Sequence, residues 1–263
     1  MKLATWNLAL PIAQSHRNAA RAWTDRIAAD IWVLTETHDG FTPGHRFSTS
    51  SAAGRDGHHE PEHRWATIWS RHRLERLTTR DEKRTVAARV YPDDGPTFVI
   101  YGTVLPWIGS RWREQPGDGG VAFREALKVQ ASDWLSIRQA YPDDGMFILG
   151  DFNQDLVRPH YYGSNAGRER LAAALDNAGL MSLTAGDRDP VRRDSAPFAC
   201  IDHICALRNS RWLPGPAMRW PDLPKPEGRL SDHFGIAVTF ELAATGCRGV
   251  VAEVMPPFRT TSC

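Results

Sequence analysis

Apolar runs of six to nine residues recur along the chain, each bounded by Gly, Pro or Asp: 2–8, 31–36, 64–70, 85–91, 97–105, 146–152, 199–207 and 234–242. Their length and their β-branched and aromatic content predict strands. Eight strands suffice for two sheets. Apolar positions at helical spacing fall between some of these runs. Segment 15–30 repeats Ala19, Ala20, Trp23 and Ile27, and segment 121–140 repeats Phe123, Leu127, Val129, Trp134 and Ile137. A third helix is predicted over 167–178, with Gly179 as its C-cap. Alternating βα units mixed with strand-after-strand stretches such as 64–105 argue against a purely parallel sheet. Three stretches, 41–63, 106–120 and 208–231, read as long connections of the kind that form functional rims.

Composition adds bounds to this picture. A 263-residue chain with 41% hydrophobic and 24% charged residues carries enough apolar material for one large core. With no repeat and no linker, the expected organisation is one domain over 1–263, with 244–263 a C-terminal extension. The net charge of +1 argues against a uniformly basic nucleic-acid coat but leaves room for a local basic cleft. Arginine supplies 28 of the 32 basic side chains, which suits phosphate recognition and equally fits codon bias. No stretch approaches the roughly 20 apolar residues of a membrane helix, and the start lacks a secretory pattern. The expected location is therefore the cytoplasm. Cys200, Cys205, Cys247 and Cys263 have no CxxC spacing, so buried free thiols are expected rather than a disulfide framework or a zinc site.

Strand ends carry acids and amides repeatedly: Asn7, Glu36, Asp151, Asn153 and Asp202, with Asp232 and His233 opening the last strand. Some lie late in their strands and others early, so antiparallel pairing would bring all seven to one edge. Taken singly, each has a plainer use as a turn, cap or solvent-facing residue. Gathered, the carboxylates repel one another unless a cation compensates. All-oxygen ligation by Asn7, Glu36 and Asp232 suits Mg²⁺, with Mn²⁺ as a substitute. His233, oriented by Asp202, is then equipped to take a proton from water. Asp151 and Asn153 remain to orient that water and to donate to a phosphoryl oxygen.

"TWNL", "LTET", "GDFN", "IDHI" and "SDH", in this order, resemble the signature of the endonuclease/exonuclease/phosphatase superfamily, the deoxyribonuclease I-like fold. The resemblance covers residues 3 to about 240. It implies a four-layer α/β/β/α sandwich of two packed mixed β-sheets and a divalent-metal-dependent phosphoester hydrolase. Residue by residue, it implies metal binding at Asn7, Glu36 and Asp232, water activation by His233 with Asp202, and a phosphate cluster at Asp151 and Asn153. Many relatives carry Asn-Thr-His-Leu after a central strand, whereas this chain has "YGTVLPW" with Val104 in place of the His. Tyr101 is the candidate replacement, by similarity to the abasic-site endonuclease branch. Against that branch, Ala9 stands where a second acid or amide is expected.

The connection 106–120 contributes Trp107, Arg111, Trp112 and Arg113, candidates for stacking on bases and pairing with phosphates. Their plainer use is to pack the loop while the arginines stay solvated. The His-rich stretch 57–63 is expected to be a solvated loop. The leading expectation is a Mg²⁺-dependent nuclease on DNA or RNA. The rivals are a hydrolase of lipid head groups or small phosphoesters, and a catalytically silent binding module. No obligate protein partner is inferable.

Overall fold

The computed structural model describes residues 1–54, 60–115, 120–157, 159–192, 198–221 and 230–243. The proposed extension 244–263, with Cys247 and Cys263, and residues 57–59 of the His-rich stretch lie outside the described residues.

Twelve strands are described: β1 (Lys2–Asn7), β2 (Ile31–His38), β3 (Phe47–Ser50), β4 (His63–Ser70), β5 (Arg73–Leu77), β6 (Thr85–Tyr91), β7 (Phe98–Val104), β8 (Gly145–Asp151), β9 (Leu180–Ser182), β10 (Asp202–Leu207), β11 (Trp212–Trp220) and β12 (Gly235–Leu242). They form two six-stranded sheets, ordered β11-β12-β1-β2-β4-β3 and β5-β6-β7-β8-β10-β9. Each is mixed, with β1 and β2 parallel in the first and β7 and β8 parallel in the second. Helix α1 (Gln14–Ile27) covers the first sheet, and α2 (Val121–Ala140) and α3 (Asn165–Asn177) cover the second. The result is an α/β/β/α sandwich.

Alternation along each strand divides the side chains between two cores. Leu3, Ile31, Val33, Ile100, Phe147, Leu149, Ile204 and Ile236 meet between the sheets. Their neighbours one residue away face the helices: Ala4, Trp6 and Trp32 pack on the α1 side, and Val99, Tyr101, Ile148 and Cys205 on the α2–α3 side. Each fully buried Val, Leu, Ile or Phe among them contributes about 1.5–3 kcal/mol. The inner strands are buried on both faces and therefore read as continuous apolar runs.

The sequence pattern finds the eight inner strands and misses β3, β5, β9 and β11. These four are the sheet edges. Two of them, β3 and β11, occupy stretches expected to be connections, 41–63 and 208–231. An edge strand pairs on one side only and needs no apolar run: β5 reads RLERL, and β11 carries Pro214 and Pro216. The three helices lie where predicted, with Gly179 left-handed one residue beyond the cap Ala178. Cys200 and Cys205 are buried free thiols.

Candidate active site

The parity that fills the inter-sheet core continues to its mouth with polar residues. Asn7 ends β1, Asp151 ends β8 and Asp202 begins β10. All three share the inward row of Leu3, Leu149 and Ile204 by the two-residue period. Because β10 runs antiparallel to β8, Asp202 lies directly opposite Asp151. Asp232 and His233 enter β12, antiparallel to β1, and so arrive at the same mouth.

Backbone exceptions aim the remaining groups. Glu36 belongs by alternation with Trp32 and Leu34, on the α1 side, but its backbone is left-handed with φ 50°. Its Oε1 accepts a hydrogen bond from Asn7 Nδ2 at 3.3 Å. Asn153 is also left-handed, with φ 48°. Gly150 has φ 141°, and a Cβ there would sit 2.0 Å from the Thr103 carbonyl oxygen, so the residue before Asp151 must be glycine.

Asp151 is 1% exposed and accepts from Asn7 Nδ2 at 3.1 Å, Asn153 N at 2.9 Å and Asn153 Nδ2 at 2.9 Å. Asn153 Nδ2 also donates to the Leu105 carbonyl at 3.0 Å. The Asn153 amide is thus engaged with Asp151 and the Leu105 carbonyl, beside the acids with which the sequence grouped it.

His233 bridges the acids. Its Nδ1 lies 2.6 Å from Asp202 Oδ2, and its Nε2 lies 4.0 Å from Asp151 Oδ2 and 3.9 Å from Asp232 Oδ1. The loop holding it is tied at Trp6 Nε1, which donates to the His233 carbonyl, and at Ser231 Oγ, which accepts from His233 N. Burial pulls the imidazole's pKa down, but Asp202, Asp151 and Asp232 outweigh it and push it up to about 10. Burial drives Asp151 the other way, up to about 7, with Asp202 and Glu36 adding to the rise and His233 opposing it. Asp202 and Asp151 thus face the ring from its two nitrogens.

This donor set fits a hard divalent cation. Among the described residues, Asp151, Asp202 and His233 offer ligand atoms within 4.8 Å of one another. Asp202 Oδ1 is buried without a hydrogen-bond partner. Carboxylate and amide oxygens predominate, as Mg²⁺ or Mn²⁺ require. The trio expected from sequence is brought together in part. Asn7 touches Glu36, while Asp232, with 82% of its side chain exposed, joins them through His233.

No known family's sequence profile matches the chain, and no curated protein matches it. Solved structures do. An endonuclease/exonuclease/phosphatase from Beutenbergia cavernae superposes at a TM-score of 0.66 and 17% identity, over 92% of this chain and 72% of that one. The fold is the endonuclease/exonuclease/phosphatase sandwich. The human Nocturnin catalytic domain gives 0.64 at 16% identity, over 92% and 93% of the two chains. A Neisseria 3′ phosphatase bound to product DNA hairpin gives 0.64 at 16% identity, over 92% and 99%.

Within this endonuclease/exonuclease/phosphatase sandwich, Val104 stands opposite Asp151 and is fully buried. Tyr101 does not replace the missing histidine. It is buried on the α2 face, with its hydroxyl donating to Asp133 Oδ2 at 3.1 Å, because an odd step from Val104 turns it away from the mouth. Trp112 is likewise no stacking platform: it is 5% exposed, and its Nε1 donates to Asp81 Oδ2 at 2.8 Å. Trp107 is 37% exposed and leans on Trp65, with ring centroids 6.2 Å apart, and Arg111 and Arg113 are exposed.

Tyr161 and Tyr162 were not found from the sequence. Their backbone N–H groups donate to Asp155 Oδ2. Burial, followed by the charges of Asp151 and Asp232, pushes the Tyr162 hydroxyl's pKa up. Their signal was a bare aromatic pair in a polar loop. A cavity of about 200 Å³ opens beside His233, lined by Asp202, Asp232, Tyr161, Phe198 and Phe234.

Proposed function

We propose that the chain is a divalent-cation-dependent phosphodiesterase acting on nucleic acid. The observation that carries the reading is the 2.6 Å His233–Asp202 pair, set beside Asp151 in a cluster of acids with no other purpose in packing. Buried like charges cost stability and are retained where chemistry uses them. Two fold neighbours support the substrate class: the Neisseria 3′ phosphatase with product DNA and an abasic-site endonuclease from Archaeoglobus fulgidus.

Asn7, Glu36, Asp151 and Asp232 would hold the cation. It would supply positive charge at the phosphoryl and leaving oxygens and relieve the acids' pull on His233. Asp202 fixes the ring by accepting from Nδ1–H, leaving Nε2 toward the reaction. His233 Nε2 takes a proton from the water as its oxygen attacks phosphorus, and the ester P–O bond opposite breaks in line. Asn7 and Asn153 hold Asp151, which aligns the water. The apolar side of the cavity receives the group next to the phosphorus, a nucleoside in this reading. The same cavity favours a second substrate class, small phosphoesters bearing an apolar group.

The test is cleavage of bis(p-nitrophenyl) phosphate and labelled single- and double-stranded DNA with Mg²⁺, Mn²⁺ or EDTA. His233→Ala is expected to lose at least ~100-fold in kcat while staying folded. Near-normal turnover in that variant, or turnover indifferent to EDTA, would overturn the reading.

A further inference from the structure

Among the described residues, six that are not glycine have left-handed backbone: Ala9, Leu10, Ala28, Glu36, Arg113 and Asn153. Such a conformation costs on the order of 1 kcal/mol or more and persists where the surroundings impose it. Ala28 caps α1, Ala9 and Leu10 follow Asn7, and Glu36 and Asn153 belong to the active site. Arg113 has no part in any of these.

Arg113 holds the first central position of a tight turn whose ends, Trp112 and Gln115, exchange backbone hydrogen bonds of 2.9 and 3.3 Å. Glycine is the usual occupant where that position has positive φ. The guanidinium is fixed from two sides. It stacks 4.4 Å over the ring of buried Trp112, and its Nη2 donates to the Arg80 carbonyl at 2.8 Å. An arginine immobilised before any ligand arrives loses little further entropy on binding.

This arginine walls a groove of about 530 Å³ together with Thr79, Arg80, Lys83 and Trp112. Arg80 is paired with Asp133, and of the two acids on the wall Asp81 is engaged by Trp112 Nε1. Glu82, the other acid, is exposed, as are Lys83 and Arg113. Lys83, on the groove wall, lies two residues before the start of β6. Arg84 O accepts from Val104 N at 3.0 Å, and Val104 pairs with Asp151 across the next strand. Two strand spacings, about 10 Å, therefore separate the backbone of Arg84, next to Lys83 of the groove, from that of Asp151. Charges on one nucleic-acid strand recur about every 3.4 Å of rise.

We infer that this groove is a second phosphate site, in which Arg113 and Lys83 hold a backbone phosphate of a nucleic-acid strand a few nucleotides from the bond being cut. The inference rests on the nucleic-acid reading above.

Arg113→Gly separates the ligand role from a structural one, because glycine relieves the turn while removing the charge. Binding of a fluorescent single-stranded oligonucleotide is followed by anisotropy across a salt series, in the full chain carrying His233→Ala. Adding Arg113→Gly is expected to weaken binding by about 3- to 10-fold at low salt and to make the log–log salt slope shallower by about 0.7. The melting temperature stays equal or rises. Lys83→Glu, on an exposed position, gives a loss at least as large. Unchanged affinity and slope in both variants, with the parent binding DNA, would overturn the inference and leave the phosphodiesterase reading intact. A parent that binds no oligonucleotide overturns it as well, and hydrolysis of bis(p-nitrophenyl) phosphate by the wild-type chain then tells whether the active-site reading survives.

Discussion

His233 Nδ1 and Asp202 Oδ2 are 2.6 Å apart although their residues lie in different sheets, Asp202 on β10 and His233 at the entrance to β12. The pair therefore spans the sandwich at its mouth. Its formation reports that the two sheets are in register.

Asp202→Asn removes the charge that most raises the His233 pKa. The imidazole should titrate well below its wild-type value of about 10 in the cation-free protein. NMR titration of the ring measures this directly, and an unmoved titration would show that Asp202 does not govern the ring. Turnover should fall by about 10²-fold or more, since the ring then lacks the partner that orients it.

Glu36→Gln keeps the shape and removes one negative charge from the cluster. The Mg²⁺ concentration for half-maximal activity is expected to rise by about 10-fold or more. A cation titration that superposes on the wild type would remove Glu36 from the ligand set.

Trp112→Phe and Tyr101→Phe test the structural roles that replaced the sequence expectations. Trp112 satisfies buried Asp81, and Tyr101 donates to buried Asp133. Each variant should lose about 1–3 kcal/mol in urea unfolding. Tyr101→Phe should keep its kcat; a fall of more than about 10-fold in kcat would return Tyr101 to the catalytic group.

Buried His203 gives the fold an acid limit. Burial lowers its pKa, and the neutral ring is held by Thr184 Oγ1 at 3.0 Å and the Gln154 carbonyl at 3.0 Å. A folded-state pKa below the unfolded value of about 6.5 means the stability is fully present above that pH. It is lost as pH falls below 6.5 toward the folded pKa. Chemical denaturation between pH 7.5 and about 5 should show this loss, and His203→Gln should flatten it.

The chemistry was legible early because its residues stand at the ends of strongly apolar strands, where an acid or amide is conspicuous. Asn7, Asp151 and Asp202 sit on the inward row, and counting in twos from Leu3, Leu149 and Ile204 reaches them. The same count would have excluded Tyr101, which shares its row with Val99 on the α2 face.

The amino-acid pattern by itself determined the eight inner strands, the three helices and the order of the acids, because burial on both faces forces long apolar runs that local reading detects. Only the tertiary structure decided the four edge strands β3, β5, β9 and β11, whose pairing comes from one neighbour and leaves little trace in composition. It also decided where each polar side chain points. Glu36 turns toward Asn7 through a left-handed backbone, and Asn153 spends its amide on Asp151. Such choices depend on tertiary partners, Asn7 for Glu36 at 29 positions and Leu105 for Asn153 at 48, which no local pattern encodes.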